Sequence, residues 1–355
     1  MPFDPTRLWR SPKALERARN VALRVARQAL ARRREAGGVQ PLAMESHHEG
    51  SLHLEAFERH LRPLISTLPP KFRALEVGAG MGWHAALIAA HSEGRVLATE
   101  ITWPSDSPHK VENAHTFHRM MKRAPALANV IELGREPSGE LVGVHFGPRI
   151  GLACASGHAL PVADEALDFV YSINCLEHIP AVGRALDEAA RVLREGGIHF
   201  ATTQPLFFSA QGGHLEDLFP IPWGHLLWES EELAALVVRE AGPDREWLPG
   251  EPLQSKHVRS ILDDYLNFAT PAEIRGALKR GPWMVRAWMD FTDASDETLA
   301  HEMSLRDALK GVSPEALFLT GLHMVLEKRS RPHGLRAPLR LTHRTRRQLR
   351  KLWPR

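Results

Sequence analysis

The sequence predicts an α/β fold: a layered, mostly parallel sheet with helices packed on its faces. Three observations predict it. Short apolar runs recur between Arg73 and Gln204, and helical periodicity separates them. The first run, "RALEVGA", breaks into alternating glycines and then becomes a helix. The alternation lapses between Pro205 and Thr270 and resumes afterwards.

The elements follow in chain order. Leu15, Ala18, Ala22, Val25 and Ala29 recur at helical spacing over residues 12–34, and arginines fill the other faces. "EAGG" then closes that helix with glycine. Residues 52–66 form a second helix, and "LPPKFR" leads into the first strand. Gly82–Ala90 is helical, "GRVLATEI" a strand and "HKVENAHTFHRMMKRA" a helix. "RIGLACAS" and "LDFVYSI" are strands. "AVGRALDEAARVLREGG" is an amphipathic helix ending in Gly-Gly, and "IHFATTQ" is the strand after it. "PLFFSAQGGHLEDLFPIPWGHLLW" is rich in aromatic residues, His, Gly and Pro, and reads as an insertion. "TPAEIRGALKR" is a helix, "WMVRAWMDFT" a strand, "DETLAHEMSLRDALKG" a helix and "ALFLTGLHMVLEK" a last strand.

Composition narrows the class. With 355 residues, 43% hydrophobic and 25% charged, the chain is an ordinary globular protein able to bury a core without cross-links. Its two cysteines, Cys154 and Cys175, lie in apolar stretches, which fits a reduced, cytoplasmic setting. No apolar run approaches the ~20 residues that span a bilayer. "MPFDPTRLWRSPK" lacks the apolar region of a secretory signal. Net charge is only +3. Arginines nevertheless crowd Arg7–Arg34, and no acidic residue follows Glu327.

The glycine turn discriminates between nucleotides. Gly78, Gly80 and Gly82 make G-x-G-x-G, and Trp83 stands where a dinucleotide fold places its third glycine. A phosphate loop ending in Gly-Lys-Ser/Thr is absent. The turn therefore admits a ligand closely without being suited to pyrophosphate.

"LEVGAGMG" resembles the first motif of the class I S-adenosylmethionine-dependent methyltransferases. Glu100, "ASGHALPVADEALDFVYSINCLEHI" and "ARVLREGGIHFAT" follow in that family's order, and the resemblance covers Arg73–Gln204. It extends more weakly over Thr270–Lys328. It implies a Rossmann-like, mostly parallel seven-stranded sheet with an antiparallel last strand, extended by helical and loop insertions. The implied organisation is a basic helical extension over 1–50, a methyltransferase domain over 51–328 with an acceptor-binding insertion over 205–270, and a basic tail over 329–355.

The resemblance also implies roles for the cofactor S-adenosyl-L-methionine. Glu76 orients the turn and the methionine ammonium, and Gly78, Gly80 and Gly82 admit the cofactor. Glu100 takes both ribose hydroxyls, Ile101 packs on adenine, and Ser156, Gly157 and His158 line the adenine edge. Asn174 offers its carbonyl to the amino group. Many relatives carry Asp where this chain has Ser156, a shorter and neutral acceptor, which shifts adenine recognition toward backbone groups.

His178, after a strand end, and His214 and His225, in the insertion, are the candidate bases if the acceptor is a hydroxyl. Packing alone also accounts for such histidines. His214, Glu216, Asp217 and His225 do not follow a compact metal-ligand spacing, so no metal is expected. Phe207, Phe208, Trp223 and Trp228 suit either an acceptor pocket or a core.

The expected activity is in-line methylation of a small-molecule or glycan acceptor: O-methylation of a sugar, glycolipid or secondary metabolite. The alternatives are an RNA methyltransferase, suggested by the basic ends, and a non-catalytic binding module. Against RNA, no Asn/Asp-Pro-Pro-Tyr/Phe signature occurs, and "YSINCLEH" occupies its place. Leu341, Leu349, Leu352 and Trp353 among arginines make the tail a candidate helix for an anionic membrane surface, which would place the protein at the inner face. The N-terminal helix is expected to dock on the body. Oligomeric state is not legible.

Overall fold

A computed structural model of the protein describes residues 8–35, 52–102, 109–248, 250–305 and 309–329. The strands are β1 (Arg73–Val77), β2 (Arg95–Glu100), β3 (Ile131–Arg135), β4 (Leu141–Phe146), β5 (Ile150–Cys154), β6 (Leu167–Ile173), β7 (Leu193–Thr203), β8 (Glu246–Leu248), β9 (Glu251–Pro252), β10 (Trp283–Thr292) and β11 (Leu319–Lys328). Seven of them form one sheet in the order β10-β11-β7-β6-β1-β2-β5. β5, β2, β1, β6 and β7 run parallel, while β11 is antiparallel to both β7 and β10. This is the expected Rossmann-like sheet, with its last strand reversed.

The helices named below are α1 (Pro12–Glu35), α2 (Trp83–Ala90), α3 (His109–Arg123), α4 (Val182–Val192), α5 (Ser230–Ala241), α6 (Pro271–Arg280) and α7 (Ala294–Glu302). Alternation along β1 sets the two layers. Leu75 pairs with the apolar stripe of α4, and Ala74 faces α2 and the residue 52–65 helix. Residues Ala85–Ala89 of α2 are all buried, because this helix lies between the sheet and Phe57. Thr270 caps α6 through a reciprocal pair with Glu273, and Pro271 opens it.

A third core belongs to the insertion and to α1. Ala18, Ala22 and Ala26, one helical turn apart, are fully buried against it. Small side chains let the helix approach closely. The Trp9 indole donates to Leu226 O at 2.8 Å and the Arg19 guanidinium to Leu227 O at 2.7 Å. Arg27 grips Glu240 with two bonds of 3.0 and 2.6 Å. The arginines read as charge along the sequence therefore tie α1 to the surface that it covers.

Four elements differ from the sequence expectations. The helix expected to run through Gly-Gly stops at Val192, and Leu193–Gly197 already belongs to β7. Gly196 has φ +73°, and a Cβ on Gly197 would lie 2.9 Å from Arg194 O. The glycine pair therefore forms an irregularity in the strand, where pairing shifts between Leu167 and Phe169, and does not cap the helix. The helix expected through Gly311 ends at Glu302, before Ser304 at φ +55°. The last strand starts at Leu319, because Ser313 and Pro314 nucleate a helical turn first. The β3–β4 hairpin was not anticipated. Gly134, Gly139 and Gly143 dilute its alternation, but Phe146 at its end packs on Phe117 and reaches the glycine turn. The membrane reading of residues 330–355 lies outside the described residues.

Candidate active site

The site forms where β1, β2 and β6 end, at the reversal of strand order that leaves a crevice in open α/β sheets. Gly78, Gly80 and Gly82 have φ of +69°, +51° and +80°, which only glycine adopts without strain. Their surroundings differ. A Cβ on Gly78 would meet Cys175 Sγ at 2.1 Å, and one on Gly82 would meet the Phe146 ring at 3.0 Å. A Cβ on Gly80 would meet nothing within 4 Å. Gly78 is thus required by close packing, and Gly80 is where the turn opens to a ligand.

Glu100 closes the opposite side. Its Oε2 accepts from Gly80 N at 2.9 Å and its Oε1 from Ile101 N at 2.8 Å. The carboxylate is held at the open glycine with lone pairs left for a diol. Ile101 is 69% exposed, an unusual position for a large apolar side chain, and suits a flat ring laid against it. These features fit an adenosine group: an open glycine backbone, a fixed carboxylate for ribose and a bare aliphatic surface for the base.

The other expected contacts are more internal. Ser156 Oγ accepts from His158 N at 3.2 Å, so the hydroxyl closes its own turn. A Cβ on Gly157 would lie 2.8 Å from Ile179, which pins that turn to the loop after β6. Asn174 has φ +47° and is exposed, but its Oδ1 accepts from Thr202 Oγ1 at 2.9 Å. Glu76 is 1% exposed, so its carboxyl lies beneath the turn and out of the crevice. Tyr171 OH donates to Oε2 at 3.1 Å, and His84 Nδ1 lies 3.3 Å from Oε1. Burial pushes the carboxyl up to about 8, against the pull of Tyr171 and the Ala85 N–H.

Glu177 is a second buried carboxyl here, and the sequence reading gave it no role. It accepts from Thr203 Oγ1 at 2.8 Å and from Gln204 N at 3.2 Å, and burial pushes it to about 8. Glu177, Glu100 and Glu76 all act on the Cys175 thiol, which burial and these charges hold far above its ordinary range. Glu76 on β1, Glu100 at the end of β2 and Glu177 in the turn after β6 therefore all lie near the Cys175 thiol. The motif marks Glu76 and Glu100 in the sequence, nothing local marks Glu177, and only the sheet order joins the three.

The three expected histidines come together. The His178 and His214 rings are 5.0 Å apart, edge to face. Burial, followed by the neighbouring His178 and His225, lowers His214 to about 3. His225 is buried and lowered to about 4, and its Nε2 bonds the Phe207 carbonyl. His178 follows the β6 end, with Nε2 4.0 Å from Glu177 Oε1. Among the described residues no three His, Cys, Asp or Glu side chains gather as a metal-ligand set.

The insertion builds two cavities of about 680 Å³ each, and neither includes the glycine turn. Phe207, Trp228 and Phe268 line the first, with Glu229, Glu231, Asp263, Asp264 and Arg259. Val25 and Ala29 of α1 line the second, with residues of α7. His225 borders both. The first is joined to the sheet edge through Asn267, whose amide donates to Ile179 O at 2.7 Å and also to Leu176 O, and whose N–H donates to Glu177 O at 2.9 Å. Asn267 was not anticipated, because nothing local in "LNFATP" marks it.

Residues 75–201 match the family model described as a methyltransferase domain. The chain is 26% identical over 200 residues to 24-methylenesterol C-methyltransferase 2 of Oryza sativa subsp. japonica, covering 54% of this chain and 47% of that protein. It is 27% identical over 148 residues to malonyl-[acyl-carrier protein] O-methyltransferase of Methylococcus capsulatus, covering 41% and 42%. It thus spans less than half of either relative. A solved S-adenosylmethionine-dependent methyltransferase from Mesorhizobium loti aligns at 15% identity and a TM-score of 0.38, covering 75% of this chain and 96% of that one.

Proposed function

We propose that this chain, whose residues 75–201 match a methyltransferase-domain model, is a class I S-adenosylmethionine-dependent enzyme that methylates a hydroxyl of a small acceptor: a sugar, glycolipid or secondary metabolite. The observation that carries this reading is the junction of two features. A glycine turn open at Gly80 and held by Glu100 lies at the sheet edge, and the insertion's aromatic cavity is stitched to that edge by Asn267.

When bound, the cofactor supplies a methyl group already activated on a sulfonium. The protein's task is then orientation, removal of the acceptor proton and exclusion of water. Glu100 grips ribose and Ile101 supports adenine. Phe207, Trp228 and Phe268 offer flat faces to the acceptor. His178 takes the hydroxyl proton. His214, held neutral by burial, packs against its ring. His225, bonded to the Phe207 carbonyl, is a cavity wall.

Charge argues against a nucleic-acid acceptor in this cavity. Four carboxylates border it, and its arginine, Arg259, already pairs with Glu231 and Asp263. A phosphate backbone needs the opposite sign.

The test is transfer of labelled methyl from S-adenosylmethionine to small-molecule extracts, with the product identified by mass spectrometry. His178→Gln should lower turnover by about 10²- to 10⁴-fold, with cofactor affinity retained. Failure to bind the cofactor, or full turnover in His178→Gln, refutes the corresponding part of the reading.

A further inference from the structure

Beneath the glycine turn a line of polar side chains crosses four elements. It starts at Tyr171 on β6, passes through Glu76 on β1 and His84 on α2, and ends at His53 on the residue 52–65 helix. The separations are 3.1 Å from Tyr171 OH to Glu76 Oε2, 3.3 Å from Glu76 Oε1 to His84 Nδ1, and 3.2 Å from His84 Nε2 to His53 Nδ1. Tyr171, Glu76 and His84 are buried, and His53 is partly buried with its ring against Trp83. Groups facing the line are Glu100 from β2, Cys175 after β6 and the Ala85 N–H of α2.

Counting protons gives this line a direction. Tyr171 already donates to Oε2. Glu76 Oε1 and His84 Nδ1 lie 3.3 Å apart, close enough for a proton carried by either group to be passed to the other. Burial disfavours charge on both groups, so the proton rests on Glu76. His84 then carries its hydrogen on Nε2, donates to His53 Nδ1, and leaves the His53 hydrogen on Nε2. The line is neutral, with one proton available to each of its three contacts.

The same geometry accommodates removal of one proton, provided both rings change tautomer. His53 Nε2 releases a proton to water, His53 Nδ1 donates to His84 Nε2, and His84 Nδ1 donates to Glu76. The proton leaves at the His53 end, and the negative charge appears on Glu76 under the cofactor turn. No bond other than N–H and O–H changes.

We infer that His53 and His84 are positioning residues that set the charge on Glu76, so that the turn binds the cationic cofactor with release of a proton and binds its uncharged-sulfur product without one. The inference rests on the cofactor reading above and deepens it: the line favours S-adenosylmethionine over S-adenosylhomocysteine as the proton is lost. The sulfonium is the only charge difference between the two compounds, so their affinity ratio isolates the effect.

Calorimetry with both compounds, from pH 6 to 9 and in buffers of different ionisation enthalpy, tests it. S-adenosylmethionine should release a substantial fraction of one proton at pH 7, and S-adenosylhomocysteine little. The ratio of affinities should rise through about pH 8 by a factor of up to about ten. His84→Asn keeps an N–H toward Glu76 but cannot relay, and should move the transition down by about one pH unit or more. If that variant fails to fold, nitrogen chemical shifts of the wild-type histidines provide the same test. His84 should carry its hydrogen on Nε2 at pH 7 and on Nδ1 above the transition. A pH-independent ratio with no proton release, or one His84 tautomer throughout, overturns the relay and leaves the cofactor reading intact. Absence of binding by either compound overturns both.

Discussion

Replacing His199 by leucine should stabilise the protein in acid more than in alkali. His199 lies on β7, is 2% exposed and packs against Trp283 with ring centroids 5.7 Å apart. Its Nδ1 is buried without a partner. Burial lowers the ring to about 4 from an ordinary 6.5. In the unfolded chain the same ring charges below about 6.5, while in the native state it stays neutral until about 4. The unfolded state therefore binds the extra proton in that window, and stability falls as pH falls. At about 1.4 kcal/mol per pH unit, the native state at pH 5 is disfavoured by about 2 kcal/mol on account of this one group. Leucine fills a similar volume and does not titrate. At pH 8 the variant should match or exceed the wild type, since an unmet buried acceptor costs about 1–3 kcal/mol. Urea unfolding of both proteins at pH 5 and pH 8 measures the difference of differences. A value near 2 kcal/mol in favour of leucine at pH 5 supports the reasoning; an equal effect at both pH values refutes it.

Other outcomes follow from the site. Glu100→Ala removes the acceptor of two exposed N–H groups, so melting temperature should change little. Cofactor affinity by calorimetry should fall about tenfold to a hundredfold, as expected for a lost charge-assisted pair, and unchanged affinity would remove Glu100 from the ribose contact. Gly78→Ala and Gly80→Ala should separate fold from function. The first collides with Cys175 Sγ, 2.1 Å from the new Cβ, and should lower melting temperature strongly. The second meets open space at φ +51° and should lower stability by about 1 kcal/mol while blocking the cofactor. Asn267→Ala strips donors from Leu176 O and Ile179 O and should raise the acceptor KM with cofactor affinity unchanged; a parallel loss of both would assign Asn267 to the fold alone.

The sequence by itself determined the sheet and pointed to the place of the candidate site. Local rules suffice there: period-two apolar runs specify strands, alternating glycines specify positive φ, and an acid at the end of the next strand is fixed by strand length. "LEVGAGMG" and Glu100 could therefore be read before any contact was known. The β3–β4 hairpin was not legible, because its glycines weaken the alternation that marks a strand. Gly196 and Gly197 misled for a related reason: glycine ends helices and also permits strand irregularities, and only the pairing partner decides between them. What the tertiary structure alone decided is which side chains meet across long separations. Glu76, Tyr171, His84 and His53 form one line because β1, β6, α2 and the residue 52–65 helix converge at the sheet edge. His178 and His214 face each other because the insertion folds back over β6. Burial also changes what these residues are chemically. A glutamate or histidine in the sequence has an ordinary charge, and only the packed interior determines whether it keeps that charge.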